Sequence, residues 1–413
     1  MKTLLIFGLQ IPEPNSTGAG NRMLQLIKLF EENNFYIHFA CAQPKTTFSI
    51  DLKNIDVKVH EIQLNDSSTK SLLDKIKPDI VLFDRFITEE QFGWVVDEVC
   101  PKALKILDTE DLHFLRENRE KILKNKNSIK KEYFLSEKAK REIAAIYRCD
   151  FTLMISKYEI DLLSIKFNIP ESLLLYLPFV FDIQNINQRE WLTFNERKHF
   201  VSIGNFKHAP NLDMVKHLHQ NLGPKIRKDL PQAEWHIYGA YLPKQIEDVH
   251  NPGKGIIVKG RATDALKTLQ KHRVMLAPVR FGAGLKGKCI DSMRAGTPSV
   301  TTSVGSEGIA NKEDWSGFVE DRENDFCKST IQLYSNQNIW QIKQKQCFKI
   351  LNTNFDLNLF ESDFKNNVEN ALKNLKNIRL HNIVGELLKH HRHRSTKYMS
   401  LWIEEKNRKE DFK

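Results

Sequence analysis

The chain has 413 residues, 41% of them hydrophobic, and a formal net charge of +10. This length favours two domains, and the hydrophobic content is sufficient for a full core in each. No apolar run approaches the roughly 20 residues of a membrane-spanning helix, which argues against an integral membrane protein. The cysteines are scattered and none forms a CxxC pair, which argues against a disulfide or zinc framework.

The net positive charge indicates an anionic partner, such as a phosphate-bearing small molecule, a lipid phosphate, a membrane surface or a nucleic acid. Charge alone does not choose among these. The N-terminus has a short apolar stretch, but Pro12 and Pro14 follow closely and no small-residue cleavage pattern is evident. We therefore interpret it as a first strand rather than a signal peptide, and expect reduced thiols in a cytoplasm.

In the first half of the chain, short apolar runs alternate with helical patterns. Thr3–Gly8 is a nearly continuous apolar run, typical of a buried parallel strand, and Asn21–Glu31 has apolar residues at helical spacing. The loop between them contains Gly18 and Gly20. Because the first turn of a helix has free N–H groups that attract an anion, these glycines form a candidate anion site. The alternative is a plain connecting loop.

A second group of polar residues follows the predicted strand Lys102–Leu107. The sequence there is DTEDLHFLR, Asp108–Arg116, and open α/β sheets bind ligands at the carboxyl ends of their strands. His113 is the candidate functional residue of this turn, although a single histidine is more often structural. Asp108 and Asp111 are either part of the site or caps of the following helix.

The segment Arg116–Arg141 is rich in lysine, arginine and glutamate and predicts exposed helices. It is either a solvated face or a surface that docks on a membrane or a lipid phosphate. Its apolar positions, among them Ile129, Tyr133 and Phe134, are too interrupted for a membrane helix.

The end of the first half contains a strand, a helix and the predicted hinge. The strand Phe151–Ser156 leads into a helix, with Ser156 and Glu159 at the spacing of a capping box. Leu173–Pro178 closes the first domain, which is predicted to span residues 1–182. The polar segment that follows, residues 183–198, is the predicted hinge.

The second half repeats the strand–turn–helix pattern, which predicts a parallel, doubly wound sheet. His199–Asn211 forms a strand, a glycine turn and the start of a helix, and is another candidate anion-binding loop. A later strand, Ile256–Val258, also ends at a glycine. The candidate ligand-facing residues after these strands are Gly204, Asn205, Lys207, Gly260 and Arg261.

The most informative stretch is Ala277–Ile309. A strand, Val274–Pro278, enters a glycine-rich loop, and a helix from about Lys288 to Ala295 follows. The glycines let a ligand approach the backbone closely, and the helix start and two lysines supply positive charge, so the predicted ligand is a phosphate or diphosphate. The alternative is a tight turn with two solvated lysines. The residues concerned are Gly282, Gly284, Lys286, Gly287 and Lys288.

The order of motifs in this stretch resembles the nucleotide-sugar site of the GT-B glycosyltransferases of retaining family 4. The shared order is a glycine loop, a lysine, an acid, the helix end MRAGTP, a strand and a GxEG-like turn at Gly305–Gly308. The resemblance implies that Lys286, with Lys288 beside it, faces the donor diphosphate. It implies that Asp291, where the family usually has Glu, holds the ribose hydroxyls. Many members have a further acid beside the sugar, where this chain has Arg280.

The resemblance covers nearly the whole chain and assigns roles to the other loops. A histidine, here His113, binds the donor sugar near the reacting carbon in the family. The candidate catalytic residues are therefore His113, Lys286 and Arg280. The resemblance implies that the strand-to-helix loops described above face the diphosphate and the base of the donor. Asn205 and Lys207 stand where members of the family often have Arg and Lys. The implied donor-binding residues outside the glycine loop are Gly18, Gly20, Gly204, Asn205, Lys207, Gly260 and Arg261.

The sequence thus predicts an α/β protein of the GT-B fold, with two facing Rossmann-like domains, parallel doubly wound sheets and a C-terminal crossing helix. The donor domain is expected to span residues 199–394, and a tail helix over about 395–413 is expected to pack back on the first domain. A histidine–arginine cluster, His390–Arg394, is not expected to bind metal because its arginines repel cations.

The resemblance implies retaining transfer of a sugar from a nucleotide diphosphate sugar to a saccharide or lipid-linked hydroxyl acceptor, and, by analogy with the family, a role in surface polysaccharide or lipopolysaccharide assembly. No metal or other cofactor and no nucleic-acid partner are expected, because the lysines and helix termini can stabilise the leaving group. The expected location is the cytoplasm, with peripheral membrane contact through the basic surface. Two alternatives stay open: a GT-B epimerase or phosphorylase, and a degenerate GT-B protein that binds anions without turnover.

Overall fold

The computed structural model describes residues 2–125 and 135–410, without the side chains of residues 391–394, 409 and 410. Part of the predicted basic surface, with Ile129, Tyr133 and Phe134, and most side chains of the cluster His390–Arg394 lie outside the described residues. Across the described ranges, no helix combines the length and the apolar character needed to cross a membrane.

The first domain is built on one parallel sheet of seven strands. The five inner strands are buried along most of their length because helices cover both faces, whereas the two edge strands are only partly buried. The strand order is β3-β2-β1-β4-β5-β6-β7. The strands are β1 (Lys2–Gly8), β2 (Phe35–Cys41), β3 (Lys58–Glu61), β4 (Ile80–Asp84), β5 (Leu104–Asp108), β6 (Phe151–Met154) and β7 (Leu174–Tyr176). The helices are α1 (Gly18–Glu32), α2 (Ser68–Ile76), α3 (Arg85–Val99), α4 (His113–Lys124), α5 (Glu137–Arg148) and α6 (Lys157–Asp161).

The second domain repeats this architecture on a six-stranded parallel sheet in the order β10-β9-β8-β11-β12-β13. The prediction of two parallel α/β sheets is therefore confirmed. The strands are β8 (Lys198–Ile203), β9 (Trp235–Tyr238), β10 (Ile256–Gly260), β11 (His272–Ala277), β12 (Ser299–Thr301) and β13 (Gly317–Val319). The helices are α7 (Ala209–His217), α8 (Gly223–Asp229), α9 (Lys244–Glu247), α10 (Ala265–Gln270), α11 (Gly287–Arg294), α12 (Ser303–Ser306), α13 (Glu323–Ser335) and α14 (Gln337–Asn354).

Two C-terminal helices, α15 (Glu361–His381) and α16 (Ile383–Glu410), return to the first domain. Phe364 and Val368 of α15 lie in the core of the first domain. Arg379 closes the contact, since its Nε donates to Asp150 Oδ1 at 2.8 Å. Helix α16 continues against α3 and α5. The chain therefore crosses back at α15, well before the tail helix that was expected from about residue 395.

The predicted hinge packs mainly on the second domain. Ile183 and Phe194 belong to the second-domain core. The buried Arg197 donates to Thr297 Oγ1 at 2.7 Å and to Ala295 O at 3.0 Å. These contacts attach the segment before β8 to the domain that follows it.

Candidate active site

A cleft of about 440 Å³ lies where the carboxyl ends of the two sheets face each other. Loops that follow β1, β4 and β5 line it from the first domain, and loops that follow β8 to β11 line it from the second. Parallel sheets bind ligands at this edge. The predicted site residues on its lining are Gly18, His113, Gly204, Asn205, Lys207, Arg261, Gly282, Lys286, Lys288 and Asp291.

Two helices, one from each domain, begin together in the cleft. A Cβ built on Gly287, the first residue of α11, would lie only 3.9 Å from the Cα of Gly18, the first residue of α1. The Thr17 side chain caps α1 by accepting from Gly20 N at 2.9 Å. Because each first turn has free N–H groups and the positive end of a helix dipole, their meeting favours an anion held by both domains.

Lys286 occupies the N-cap position of α11 and is buried. Its Nζ donates to Gly284 O at 2.9 Å and lies 3.8 Å from Glu307 Oε1. Burial lowers the pKa of the ammonium, although Glu307 opposes that shift. A bound anion would stabilise the charged ammonium group of Lys286 and so oppose the effect of burial on its pKa.

Lys288 and Asp291 lie on the first two turns of α11 and face the same cleft. Lys288 Nζ donates to Asn211 Oδ1, and burial lowers the pKa of Lys288 to about 8. Asp291 Oδ1 accepts from Arg294 Nη1 at 3.0 Å, while burial raises the pKa of its carboxyl group. The helix therefore presents two cations at its start and one carboxylate a turn later.

His113 begins α4 on the first-domain side of the cleft. Its Nε2 lies 3.3 Å from Asp111 Oδ1, and its ring meets Phe86 edge-on at 5.4 Å. The helix start is capped by Glu142, whose Oε1 accepts from His113 N at 2.8 Å. Burial raises the pKa of Asp111, but Arg116 and His113 more than offset this and keep that pKa well below its usual range. His113 is therefore held by an ionised carboxylate.

Sequence reasoning missed two further residues of this side, Arg85 and Glu110. Each follows a strand end, and each has a left-handed backbone, with φ of 71° and 61°. Both line the cleft. Burial, with Asp108 close by, raises the pKa of Glu110 well above its usual range. A non-glycine residue in this conformation is uncommon, and a third one, Tyr241 with φ of 56°, also lines the cleft; such residues cluster at functional sites.

Sequence comparison finds a family match that lies in the second domain and begins just before β8. Residues 197–336 match the family model for glycosyl transferases group 1. The matched range takes in the glycine loop and helix α11 of the second domain. No curated protein sequence matches the chain significantly.

Solved structures cover nearly the whole chain. Sucrose-phosphate synthase from Thermosynechococcus elongatus is similar with a TM-score of 0.67 and 11% identity, over 90% of this chain and 100% of that one. The Anabaena HepE protein, solved with UDP and glucose, gives 0.66 and 10%, over 89% and 100%. A TarM mutant from S. aureus, solved with Fondaparinux, alpha-GlcNAc-glycerol and UDP, gives 0.67 and 11%, over 90% and 100%. At such identities the likeness shows the fold alone, and that fold is GT-B.

In this GT-B chain the first domain holds the glycine loop of the second. Glu159 Oε1 accepts from Gly284 N at 2.7 Å and from Leu112 N at 3.3 Å. The predicted capping box is therefore wrong, since Ser156 makes no capping hydrogen bond and Glu159 reaches across the cleft instead. Burial and the nearby Asp111 raise the pKa of Glu159 to about 7.

Arg119 provides a second link between the domains. It donates to Glu307 Oε1 at 2.8 Å and Oε2 at 2.7 Å, and also to Gly282 O at 2.8 Å. Its guanidinium group lies 5.3 Å from the ring centroid of Tyr158. Because Glu307 also faces Lys286, the first domain contributes to the charge balance around that lysine.

Two predicted residues on loops of the second domain, Asn205 and Arg261, also contact the first domain, whereas Lys207 contacts Tyr241 of its own domain. Asn205 Nδ2 donates to Ser16 Oγ at 3.3 Å. Arg261 lies 4.5 Å from the ring centroid of Phe48, beyond the end of β10. Lys207 sits 3.6 Å from the ring centroid of Tyr241. These side chains are engaged with aromatic or polar partners at the rim of the cleft.

Four predicted residues, all in the described part of the chain, are not on the cleft lining: Gly20, Gly260, Gly284 and Arg280. A Cβ on Gly20 would lie 2.5 Å from the Glu13 backbone, so close packing requires glycine there. Arg280 is turned away from the cleft, and its Nε donates to Asp213 Oδ2 at 2.9 Å. Its guanidinium group is thus committed to an ion pair on α7 rather than to the site.

Proposed function

We propose that this protein is a retaining glycosyltransferase that moves a sugar from a nucleoside diphosphate sugar to a hydroxyl acceptor. The observation that carries the proposal is the meeting of the α1 and α11 N-termini beside Lys286 and Lys288. Amide N–H groups and ammonium groups that converge on one point suit a diphosphate. The match of residues 197–336 to glycosyl transferases group 1 supports the proposal that this diphosphate belongs to a sugar nucleotide.

In the proposed reaction, the bond between the sugar and the diphosphate breaks as negative charge develops on the leaving group. Lys286, Lys288 and the first-turn amides of α11 would stabilise that charge, without a metal ion. His113, held by Asp111, would contact the sugar near the reacting carbon. The sugar would pass through an oxocarbenium-like transition state. The acceptor hydroxyl would attack from the side of the departing phosphate, and that phosphate would take the hydroxyl proton. Attack from this side would retain the configuration of the anomeric carbon.

The first-domain side of the cleft suits a hydroxyl-rich acceptor. The Glu110 carboxyl group would hydrogen-bond acceptor hydroxyl groups, and the Arg85 guanidinium group would donate to acceptor oxygens. The acceptor would be a saccharide, free or lipid-linked, and we propose a role in surface polysaccharide or lipopolysaccharide assembly. Such a role would place the protein in the cytoplasm, with peripheral contact of its basic surface with a membrane. Flotation with anionic vesicles would test that contact.

A thermal-shift series with UDP, GDP, ADP and CMP, each with and without EDTA, tests the donor site. We expect one nucleotide to raise Tm, equally in the presence of EDTA, because lysines and amides supply the positive charge. A shift that EDTA abolishes would contradict the metal-independent site. No shift with any nucleotide would favour the degenerate anion-binding protein.

The matching sugar nucleotide then tests the reaction. With an acceptor present, NMR of the product should show the anomeric configuration of the donor. An inverted anomer would rule out retention. Release of a free, altered sugar nucleotide without any acceptor would instead identify an epimerase.

A further inference from the structure

Three histidines and a glutamate meet at the end of the second sheet that lies opposite the cleft. His199 is the second residue of β8, Glu234 directly precedes β9, His236 is the second residue of β9, and His272 begins β11. The cleft begins where these strands end, so the cluster lies a full strand length from the proposed donor site. Glu234 Oε2 is 2.8 Å from His236 Nε2 and 3.9 Å from His199 Nε2.

A chain of hydrogen bonds fixes the proton on His236. His272 Nδ1 lies 2.7 Å from Thr268 O, which can only accept, so a neutral His272 has its proton on Nδ1 and accepts through Nε2. His236 Nδ1 is 2.8 Å from that acceptor and must be the donor. His236 Nε2 therefore points a lone pair at the Glu234 carboxylate, unless a proton or a cation lies between the two groups.

We propose that this cluster is a binding site for a divalent transition-metal ion of the zinc class. His236 Nε2 and a Glu234 oxygen are the primary ligands, His199 is the third, and water completes the coordination. Imidazole and carboxylate ligands suit zinc, and two histidines with a glutamate are an established zinc ligand set. His272 is the outer partner that holds the tautomer of His236, as carboxylates and carbonyls do around other metal-bound histidines.

The ligand atoms lie near the spacing that a bound ion requires. The candidate ligand atoms of His199, Glu234 and His236 all lie within 4.8 Å of one another. Around a tetrahedral ion with ligands at about 2 Å, such atoms would be about 3.3 Å apart. The Glu234 side chain is 41% exposed, so it can adjust its distances to both histidines, and the site is open to solvent.

His199 differs from the other two ligands. Its backbone has φ of 64°, an uncommon conformation for a strand residue other than glycine. Its Nδ1 accepts from Glu234 N at 3.1 Å, so Nε2 carries the proton in the neutral ring. The ring must give up that hydrogen bond before Nε2 can bind a metal. His199 should therefore contribute less to the affinity than His236.

Cobalt and zinc titrations of the full-length, reduced protein test the site. Cobalt(II) should give d–d absorption bands without the near-ultraviolet charge-transfer bands of thiolate ligation, at one ion per chain. Competition with a zinc indicator should show binding weakened more than tenfold in His236→Gln and Glu234→Gln, and less in His199→Gln. His272→Phe should weaken binding about 10- to 100-fold by releasing the His236 tautomer. The matched control, His219→Gln on the same domain, should bind as wild type.

Circular dichroism of each variant would establish that it is folded before titration. Because Glu234 is partly exposed, Glu234→Gln provides a folded test even where a histidine variant is unstable. Equal zinc binding by wild type and Glu234→Gln would overturn the proposal, as would thiolate charge-transfer bands or the absence of stoichiometric binding.

Discussion

Replacement of Lys286 by Met tests the donor site most directly. Met fills a similar volume but removes the ammonium group from the N-terminus of α11. Loss of one preorganised electrostatic donor costs about 2.7–4 kcal/mol of transition-state stabilisation, which is about 10²- to 10³-fold in kcat. Release of nucleoside diphosphate from the saturating sugar donor, once the nucleotide is known, measures that loss.

The structure predicts that Lys286→Met will stay folded. Glu307 keeps its two hydrogen bonds from Arg119, at 2.8 and 2.7 Å, and so is not left as an unpaired charge. Gly284 O loses one hydrogen bond, worth about 1 kcal/mol, while the cost of burying an ammonium group is removed. Tm should therefore change by no more than about 4 °C.

The control is Lys267→Met, because Lys267 is an 80% exposed lysine of the same domain. It should leave both kcat and Tm unchanged. A Lys286→Met variant with turnover within about threefold of wild type would refute the assignment of this lysine to the leaving group. Activity that is lost only together with the fold would show that Lys286 is structural.

Three further perturbations probe the rest of the cleft. His113→Ala should lower turnover more than nucleotide affinity, because the ring is proposed to contact the sugar. Kinetics would measure turnover and calorimetry would measure affinity, and equal losses of the two would indicate a structural histidine. Arg119→Lys should raise the Km for the donor, since lysine cannot keep both bonds to Glu307; an unchanged Km would show that this interdomain contact does not affect donor binding. Nucleoside diphosphate affinity should fall as the pH rises above about 8, because Lys288 of the unliganded protein, with a pKa of about 8, must then take up a proton to pair with the anion; a flat Kd between pH 7.5 and 9.5 would refute this.

The local pattern of the sequence was sufficient to predict the sheets and the glycine-loop unit. Strand β11, helix α11 and strand β12 occur in the order that the stretch Ala277–Ile309 predicts. The spacing of apolar residues and the identity of turn residues are local properties of the sequence, so they can be recognised without knowing the fold. The position of His113 on the cleft lining could be predicted for the same reason, because the residue follows a strand on the side where a parallel sheet binds ligands.

Contacts between the domains could not be predicted in this way. Glu159 and Gly284 are 125 residues apart, and Arg119 and Glu307 are 188 residues apart. The spacing of Glu159 from Ser156 favoured a local cap, and tertiary packing overrode it. A charged run such as Arg116–Arg141 is as consistent with a solvated face as with a contact between domains. Nothing in its composition distinguishes Arg119 from the other basic residues.

These interdomain contacts imply that the proposed donor binding would be coupled to the arrangement of the domains. Gly284 has a left-handed backbone, with φ of 62°, and its N–H is held by Glu159 of the other domain. If the domains moved apart, Gly284 N would lose Glu159 and Gly282 O would lose Arg119, so the loop before Lys286 would lose two of its anchors. A diphosphate that bridges the first turns of α1 and α11 would favour the closed arrangement for the same reason. Closure would then exclude water from the reacting carbon at the moment when the leaving group is stabilised. The site is therefore best understood as a product of both domains rather than of the second domain alone.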